Sequence, residues 1–232
     1  MINQNFDTAI LIFSRTPSVE AVEKPVLGLP ESAKATAEIL VQKTRQIAAD
    51  SGLPVFFISE KKQRGDTFGE RFSNAVSDVF DKGFANVISI GNDCPSLSVQ
   101  DLQNVALRLK EVPCVLGPSN DGGVYLIGIN KAVFQKNIFE NISWQTENVL
   151  AELLQLIENQ CFTHQLLSYK FDIDSPTDFI SVLQYLDFRL KKIFLNLLKN
   201  TFQKSFRTLF SFPNPYLLAA KSLRAPPAFA HF

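Results

Sequence analysis

Asn86-Val87-Ile88-Ser89-Ile90-Gly91-Asn92-Asp93-Cys94-Pro95 is the stretch on which the fold turns. Its first five residues form a short, largely apolar run, the pattern of a strand buried on both faces of a sheet. Gly91 and Pro95 then force a turn, which sets Asp93 just past the strand's carboxyl end. Working outward, Thr8–Phe13 (TAILIF) and Pro54–Ser59 (PVFFIS) read as further strands. Between them, Glu31–Asp50 carries Ala33, Ala37, Leu40, Val41, Ile47 and Ala48 at helical spacing and stops at Ser51-Gly52. Phe68–Asp81 reads as a helix closed by Gly83. Downstream, Ser98 caps a helix to Lys110 with Asp101 in its first turn. Val112–Leu116 and Val124–Ile129 are strands flanking a Gly/Pro/Asn/Asp cluster, Ser143 opens a helix through Ile157, and Gln165–Phe171 is strand-like. Ser175-Pro176-Thr177-Asp178 combines an N-cap, a proline at N1 and an acid at N3, a strong helix start. This alternation predicts an α/β protein of three layers, α/β/α, on a mostly parallel sheet. In such sheets ligands sit beyond the carboxyl ends of the strands.

Composition agrees and narrows the classes. The chain has 232 residues, 46% hydrophobic and 20% charged, which suits a domain over residues 1–187 with an appendage over 188–232. Net charge is zero, but residues 188–232 hold eight basic side chains and no acid. The remaining 15 basic residues face all 23 acids in residues 1–187, a balance of −8. An acidic body argues against nucleic acid as partner. Three scattered cysteines (Cys94, Cys114, Cys161) form neither a disulfide framework nor a zinc pattern, and two histidines leave little for a His-based site. Met1–Asp7 lacks the basic and apolar regions of a signal peptide, and no apolar run approaches a membrane span, so a cytoplasmic location is expected.

Three acidic segments fall at predicted strand ends, each with two readings. Asp93 either ligates a Mg²⁺ or Mn²⁺ carrying a diphosphate, since hard cations choose oxygen, or hydrogen-bonds its own turn. Asp121, before Gly122 and Gly123, either meets a ligand over a glycine-rich backbone or marks a hairpin. Asp172 and Asp174 point to one face of an extended segment, where they either share a cation or complement the following helix end. Gly65-Asp66-Thr67-Phe68-Gly69-Glu70-Arg71 opens a helix whose N–H groups, with Arg71, suit phosphate; a surface ion pair is the plain alternative. Trp144 reads as packing at the border of a pocket.

Together these segments resemble the glycosyltransferase-like proteins grouped as radical-SAM/selenodomain-associated transferases. That group is a branch of the nucleotide-diphospho-sugar transferase superfamily, related to molybdenum-cofactor and phospholactate guanylyltransferases. The matching pieces are Phe13-X-Arg15-X-Pro17, Gly65-Asp66-X-X-Gly69-Glu70-Arg71, Ile90-Gly91-X-Asp93-Cys94-Pro95-X-Leu97, Gly117-Pro118-X-X-Asp121-Gly122-Gly123-X-Tyr125-X-Ile127-Gly128, Ile142-X-Trp144 and Asp172-Ile173-Asp174-X-Pro176-X-Asp178. The resemblance implies a glycosyltransferase A-type fold and a nucleotide or nucleotide-sugar donor with an unidentified acceptor. It makes Asp93 and Asp121 catalytic, and Asp93, Asp172 and Asp174 the ligands of Mg²⁺ or Mn²⁺. Phosphate contacts fall to Arg15, Lys24, Arg71, Gly122 and Gly123. Glycosyl transfer is the implied reaction, with nucleotidyl transfer the alternative. One loop departs from the family pattern, Lys-X-Pro-X-X-Gly-X-Val-Lys-Thr-Arg-Leu: here Glu20, Glu23 and Pro25 replace its Gly, Lys and Arg. Two carboxylates facing a diphosphate would repel it, so a silent nucleotide-binding protein is a further alternative. Lys24, one position late, compensates if the loop shifts.

Beyond the matched region, Leu190, Ile193, Phe194, Leu197, Leu198, Phe202, Phe206, Leu209 and Phe210 recur at three- and four-residue steps among lysines and arginines. The pattern predicts an amphipathic helix over 188–212, packed on its own domain or a twin subunit, or else lying on an anionic membrane.

Overall fold

The computed structural model describes residues 6–26, 30–173 and 175–210. Six strands form one sheet: β1 (Thr8–Phe13), β2 (Val55–Ile58), β3 (Asn86–Ile90), β4 (Cys114–Pro118), β5 (Val124–Asn130) and β6 (His164–Leu166). Their order is β2-β1-β3-β5-β4-β6. β5 alone runs against the rest, antiparallel to both β3 and β4. The cause is the short link from Ser119 to Gly123, which permits a hairpin but no crossover. The sheet is therefore mostly parallel with one reversed strand, as far as the described residues show.

Alternation along the buried strands builds the layers. Ala9 and Leu11 of β1 join Val87, Leu116 and Ile127 beneath α3 (Phe68–Phe80) and α6 (Val149–Asn159). Ile10 and Ile12 point the other way, joining Ile88, Ile90, Val115 and Leu126 beneath α2 (Pro30–Asp50) and α4 (Val99–Arg108). Because both faces are covered, the central strands read as continuous apolar runs. Thr67, Ser98 and Ser175 each close a capping box, with Glu70, Asp101 and Asp178. Each box satisfies helix donors that would otherwise lack partners.

A third cluster joins α2 to α7 (Pro176–Val182) and α8 (Phe188–Phe210). Phe194 is fully buried and lies 4.7 Å, ring to ring, from Phe179, and Leu190 is buried beside them. The part of the α8 apolar stripe formed by Leu190, Phe194, Leu197 and Leu198 thus packs on its own domain, while Phe188, Ile193 and Leu195 stay exposed; the stripe's side chains beyond residue 201 lie outside the description. No helix among the described residues is long and apolar enough to cross a membrane.

Several expectations need correction. Residues 17–23, expected as an open phosphate loop, form the short helix α1 (Pro17–Glu23), with Pro17 in its first turn. α6 begins at Val149, not Ser143, because Thr146 turns back onto the Ser143 carbonyl and Gln145 takes a positive φ of 63°. The strand expected over Gln165–Phe171 is reduced to three residues plus a bridge from Lys170 to Ser119. A five-residue helix, α5 (Lys136–Glu140), had no strong signal in the sequence.

Candidate functional site

A cavity of about 490 Å³ opens beyond the carboxyl ends of β1, β3 and β4, on the side where the strand order reverses. Arg15, Glu20, Lys24, Arg71, Asp93, Asp121, Gly123 and Asp172 all line it. The structure thus brings together seven of the nine expected site residues. Gly122, between Asp121 and Gly123, does not itself line the cavity, and Asp174 lies outside the described residues.

The turn after β3 places Asp93. A Cβ on Gly91 would stand 2.7 Å from Asp93 Oδ1, so the glycine leaves room for the carboxylate to fold back over the backbone. The Asp93 carbonyl accepts a hydrogen bond from Ile173 N at 2.9 Å, tying the Asp172 segment to the Asp93 turn. Lys24, the last residue of the α1 region, donates to Asp93 Oδ2 at 2.9 Å and lies 3.7 Å from Glu20 Oε1. Burial alone would push the Asp93 carboxyl up. The charge and hydrogen bond of Lys24, helped by Arg15, outweigh it and hold the group below the usual carboxylate range.

The altered loop is folded around its own charges. Glu20 is buried and sits 3.9 Å from Arg15 as well as near Lys24, and Glu23 reaches the same guanidinium at 3.9 Å. Thr16 explains why α1 starts where it does: its N–H and hydroxyl both donate to Glu60, at 2.7 and 2.8 Å. Glu20 and Glu23 therefore pair with the loop's own cations instead of facing the cavity as bare anions.

Asp121 fulfils its turn reading, since its Oδ1 accepts from Gly123 N at 3.0 Å, yet it also stands at the exposed rim of the cavity. Gly122 has φ +87°, and a side chain there would run into the Glu147 carbonyl. The glycine lets the hairpin turn dock on the loop before α6, where Leu150 N donates to its carbonyl at 3.0 Å. Arg71 lines the cavity while one guanidinium N–H donates to the Asp66 carbonyl at 2.7 Å.

Sequence reasoning missed the buried polar residues of this cavity: Ser14, Ser89, Asn92 and Ser119. Ser14 Oγ is 2.9 Å from Asn92 Oδ1. A serine inside the apolar run NVISI was the available signal, because a hydroxyl on a doubly buried strand needs a partner. Trp144 borders the cavity as expected, and the apolar residues missed beside it are Phe13, Phe68 and Phe72. Trp144 stands 4.9 Å from Phe72, and its Nε1 donates to the Phe139 carbonyl at 2.7 Å.

Comparison with solved structures agrees with this architecture. A protein from Desulfovibrio desulfuricans G20, described provisionally as a nucleotide-diphospho-sugar transferase, superposes with a TM-score of 0.68 at 24% identity. The match covers 76% of this chain and 86% of that one. More distant likenesses include the Rv0371c homolog from Mycobacterium sp. strain JC1 (TM-score 0.47, 12% identity, 82% and 98% covered). Rv0371c of Mycobacterium tuberculosis H37Rv in complex with manganese is another (TM-score 0.45, 12% identity, 76% and 98% covered). No curated protein matches the sequence. The chain shares the fold of the Desulfovibrio desulfuricans protein, and with residues 30–146 matching the family's pattern it belongs to the family described as "Uncharacterized protein conserved in bacteria (DUF2064)".

Proposed function

We propose that this protein is a transferase that takes a nucleotide-activated donor in the cavity around Asp93, with glycosyl transfer from a nucleotide sugar as its reaction. The observation that carries this reading is the convergence of Arg15, Lys24, Asp93, Asp121 and Asp172, from four separate segments, on one cleft beyond the strand ends. Arg15 and Lys24 supply cations for a diphosphate, Asp93 and Asp172 carboxylates, and Asp121 an acceptor at the rim for an incoming hydroxyl.

Among the described residues no three His, Cys, Asp or Glu side chains are placed to hold an ion by themselves. Mg²⁺ and Mn²⁺ at diphosphates need only one or two carboxylates, with phosphate oxygens and water completing the shell. Asp93 and Asp172, with Asp174 completing the set read from the sequence, fit that requirement in donor chemistry. The ion would neutralise the diphosphate of the leaving group. An ion held by Asp93 would compete with Lys24 for that carboxylate and leave the ammonium to the phosphates. A second reading, a nucleotide-binding protein without turnover, is favoured by the pairing of Glu20 with both cations, which lowers the positive charge offered to a diphosphate.

Thermal unfolding with a panel of nucleoside diphosphates and nucleotide sugars, with and without Mn²⁺, tests the proposal. A ligand at a hundred times its Kd stabilises by about 2.7 kcal/mol. The expected result is stabilisation by a nucleotide sugar with Mn²⁺, lost in Asp93→Asn. No stabilisation by any nucleotide overturns both readings. Binding without transfer to any acceptor supports the second.

A further inference from the structure

Three buried groups in the cavity have no task in this scheme. Ser89 and Ser119 are only 3% and 2% exposed, and Asn92 only 6%. Ser89 Oγ, Ser119 Oγ and Asn92 Nδ2 have no hydrogen-bond partner among the described residues. All three residues line the cavity. Buried polar groups are nearly always satisfied, so three orphans around one space point to a partner that enters it.

The chemistry of that partner follows from what the orphans offer. Asn92 meets Ser14 Oγ at 2.9 Å, and because the single Ser14 proton serves either Asn92 or the Arg15 carbonyl, the amide keeps either its two N–H donors or its oxygen to give. Each serine hydroxyl can both donate and accept. A set that donates and accepts, without formal charge, is complementary to hydroxyl groups more than to a carboxylate or phosphate, which only accepts. Of the charged groups lining the cavity, Arg15 and Lys24 are assigned to the diphosphate and otherwise pair with Glu20 and Asp93, Arg71 gives an N–H to the Asp66 carbonyl, Asp172 is a carboxylate that disfavours a second anion, and Asp121 and Glu147 are exposed at the rim. The adjoining wall is apolar and uneven. Phe13 meets Phe72 nearly edge-on at 84°, Trp144 is tilted at 56° to Phe72, and the Trp144 N–H is used elsewhere. These aromatic side chains give the C–H groups of a saturated ring an apolar surface to pack against.

Building on the transferase reading above, we propose that Ser89, Asn92 and Ser119 form a subsite for a neutral hydroxylated ring. The donor's transferred group is then a sugar without carboxylate or phosphate.

Isothermal titration with UDP, GDP, CDP and dTDP, each against its neutral hexose ester and, for UDP, the glucuronate ester, tests this in the full chain. The neutral hexose ester binds about tenfold more tightly than its nucleoside diphosphate, and the glucuronate ester gains nothing. Ser89→Ala and Ser119→Ala abolish the tenfold gain and leave nucleoside diphosphate affinity unchanged. Both variants keep or raise the melting temperature, because each removes an unpaired buried hydroxyl; a purely structural serine would lower it. Saturation-transfer NMR with free glucose, galactose, mannose and glucuronate separates the two readings. Serine-dependent contact with a neutral sugar, but no nucleotide binding, keeps the subsite and sinks the transferase. Nucleotide binding with no hexose gain and no sugar contact sinks the subsite alone. Silence in both experiments overturns both.

Discussion

Replacing Lys24 with methionine keeps the side chain's length and removes the charge that holds Asp93. At 2.9 Å, two unit charges in an effective dielectric near 20 attract by about 6 kcal/mol before any desolvation is counted. Both side chains are roughly a quarter exposed, 25% and 27%, so water recovers much of that sum. A net loss of roughly 1–3 kcal/mol remains, between an exposed pair and a buried one. The pH dependence has a definite sign. The Asp93 carboxyl is depressed in the folded protein, so its contribution is present above the ordinary carboxylate pKa and disappears as pH falls through the folded value. The gap between wild type and Lys24→Met in urea melts is therefore full at pH 7 and shrinks below about pH 4. Metal affinity moves the opposite way, because Lys24 no longer competes for Asp93 Oδ2. Mn²⁺ binding by calorimetry tightens about tenfold, the equivalent of about 1.4 kcal/mol. Equal stability at pH 7 together with unchanged Mn²⁺ affinity would mean that Lys24 and Asp93 merely lie near each other, and the account of this site would fail.

Three further outcomes follow from the geometry. Burial pushes the thiols of Cys94 and Cys114 up to about 12, in Cys94 with the added charges of Asp172 and Asp93, while Cys161 is exposed. A maleimide at pH 8 should label one thiol per folded chain and three after denaturation; rapid labelling of Cys94 in the folded protein would contradict its burial. Gly122→Ala places a Cβ against the Glu147 carbonyl at a φ of +87°, and should cost about 1–3 kcal/mol and weaken any nucleotide-induced stabilisation; an unchanged melting temperature would show that the turn is not docked. Phe194→Ala empties the contact with Phe179 and should cost about 3–5 kcal/mol, with α8 losing amide-exchange protection; a loss under 1 kcal/mol would mean that α8 does not stabilise the domain.

The fold was legible in the sequence where a local signal and the tertiary structure agree. β1, β3 and the helices capped by Ser98 and Ser175 lie within a few residues of their expected limits, because continuous apolar runs and capping boxes carry their own boundaries. The reversal of β5 could be read only as one of two meanings of Asp121-Gly122-Gly123, and both hold: the segment is a hairpin turn and it edges the cavity. What could not be read was pairing over long separations. No pattern in Arg15–Lys24 announces that Glu20 is neutralised by Arg15 and Lys24, or that Lys24 reaches across 69 residues to Asp93.

That pairing changes how the departure from the family pattern is understood. As a string, Glu20 and Glu23 look like two charges set against a diphosphate; as a structure, they are counter-ions that keep two cations and one carboxylate folded together when no nucleotide is present. The loop then trades a permanently open cationic surface for one that must be unpaired before it binds. The consequence is a weaker donor affinity, not a blocked site. Neutralising Glu20 alone separates the two ideas. Glu20→Gln removes one counter-ion from Arg15 and Lys24, which keep Glu23 and Asp93, without adding bulk, and nucleoside diphosphate affinity should rise about tenfold, the return from relieving one unfavourable charge near the phosphates. If affinity falls instead, Glu20 is holding Arg15 and Lys24 in the geometry that phosphate needs, and the replaced loop has become a positioning device in its own right.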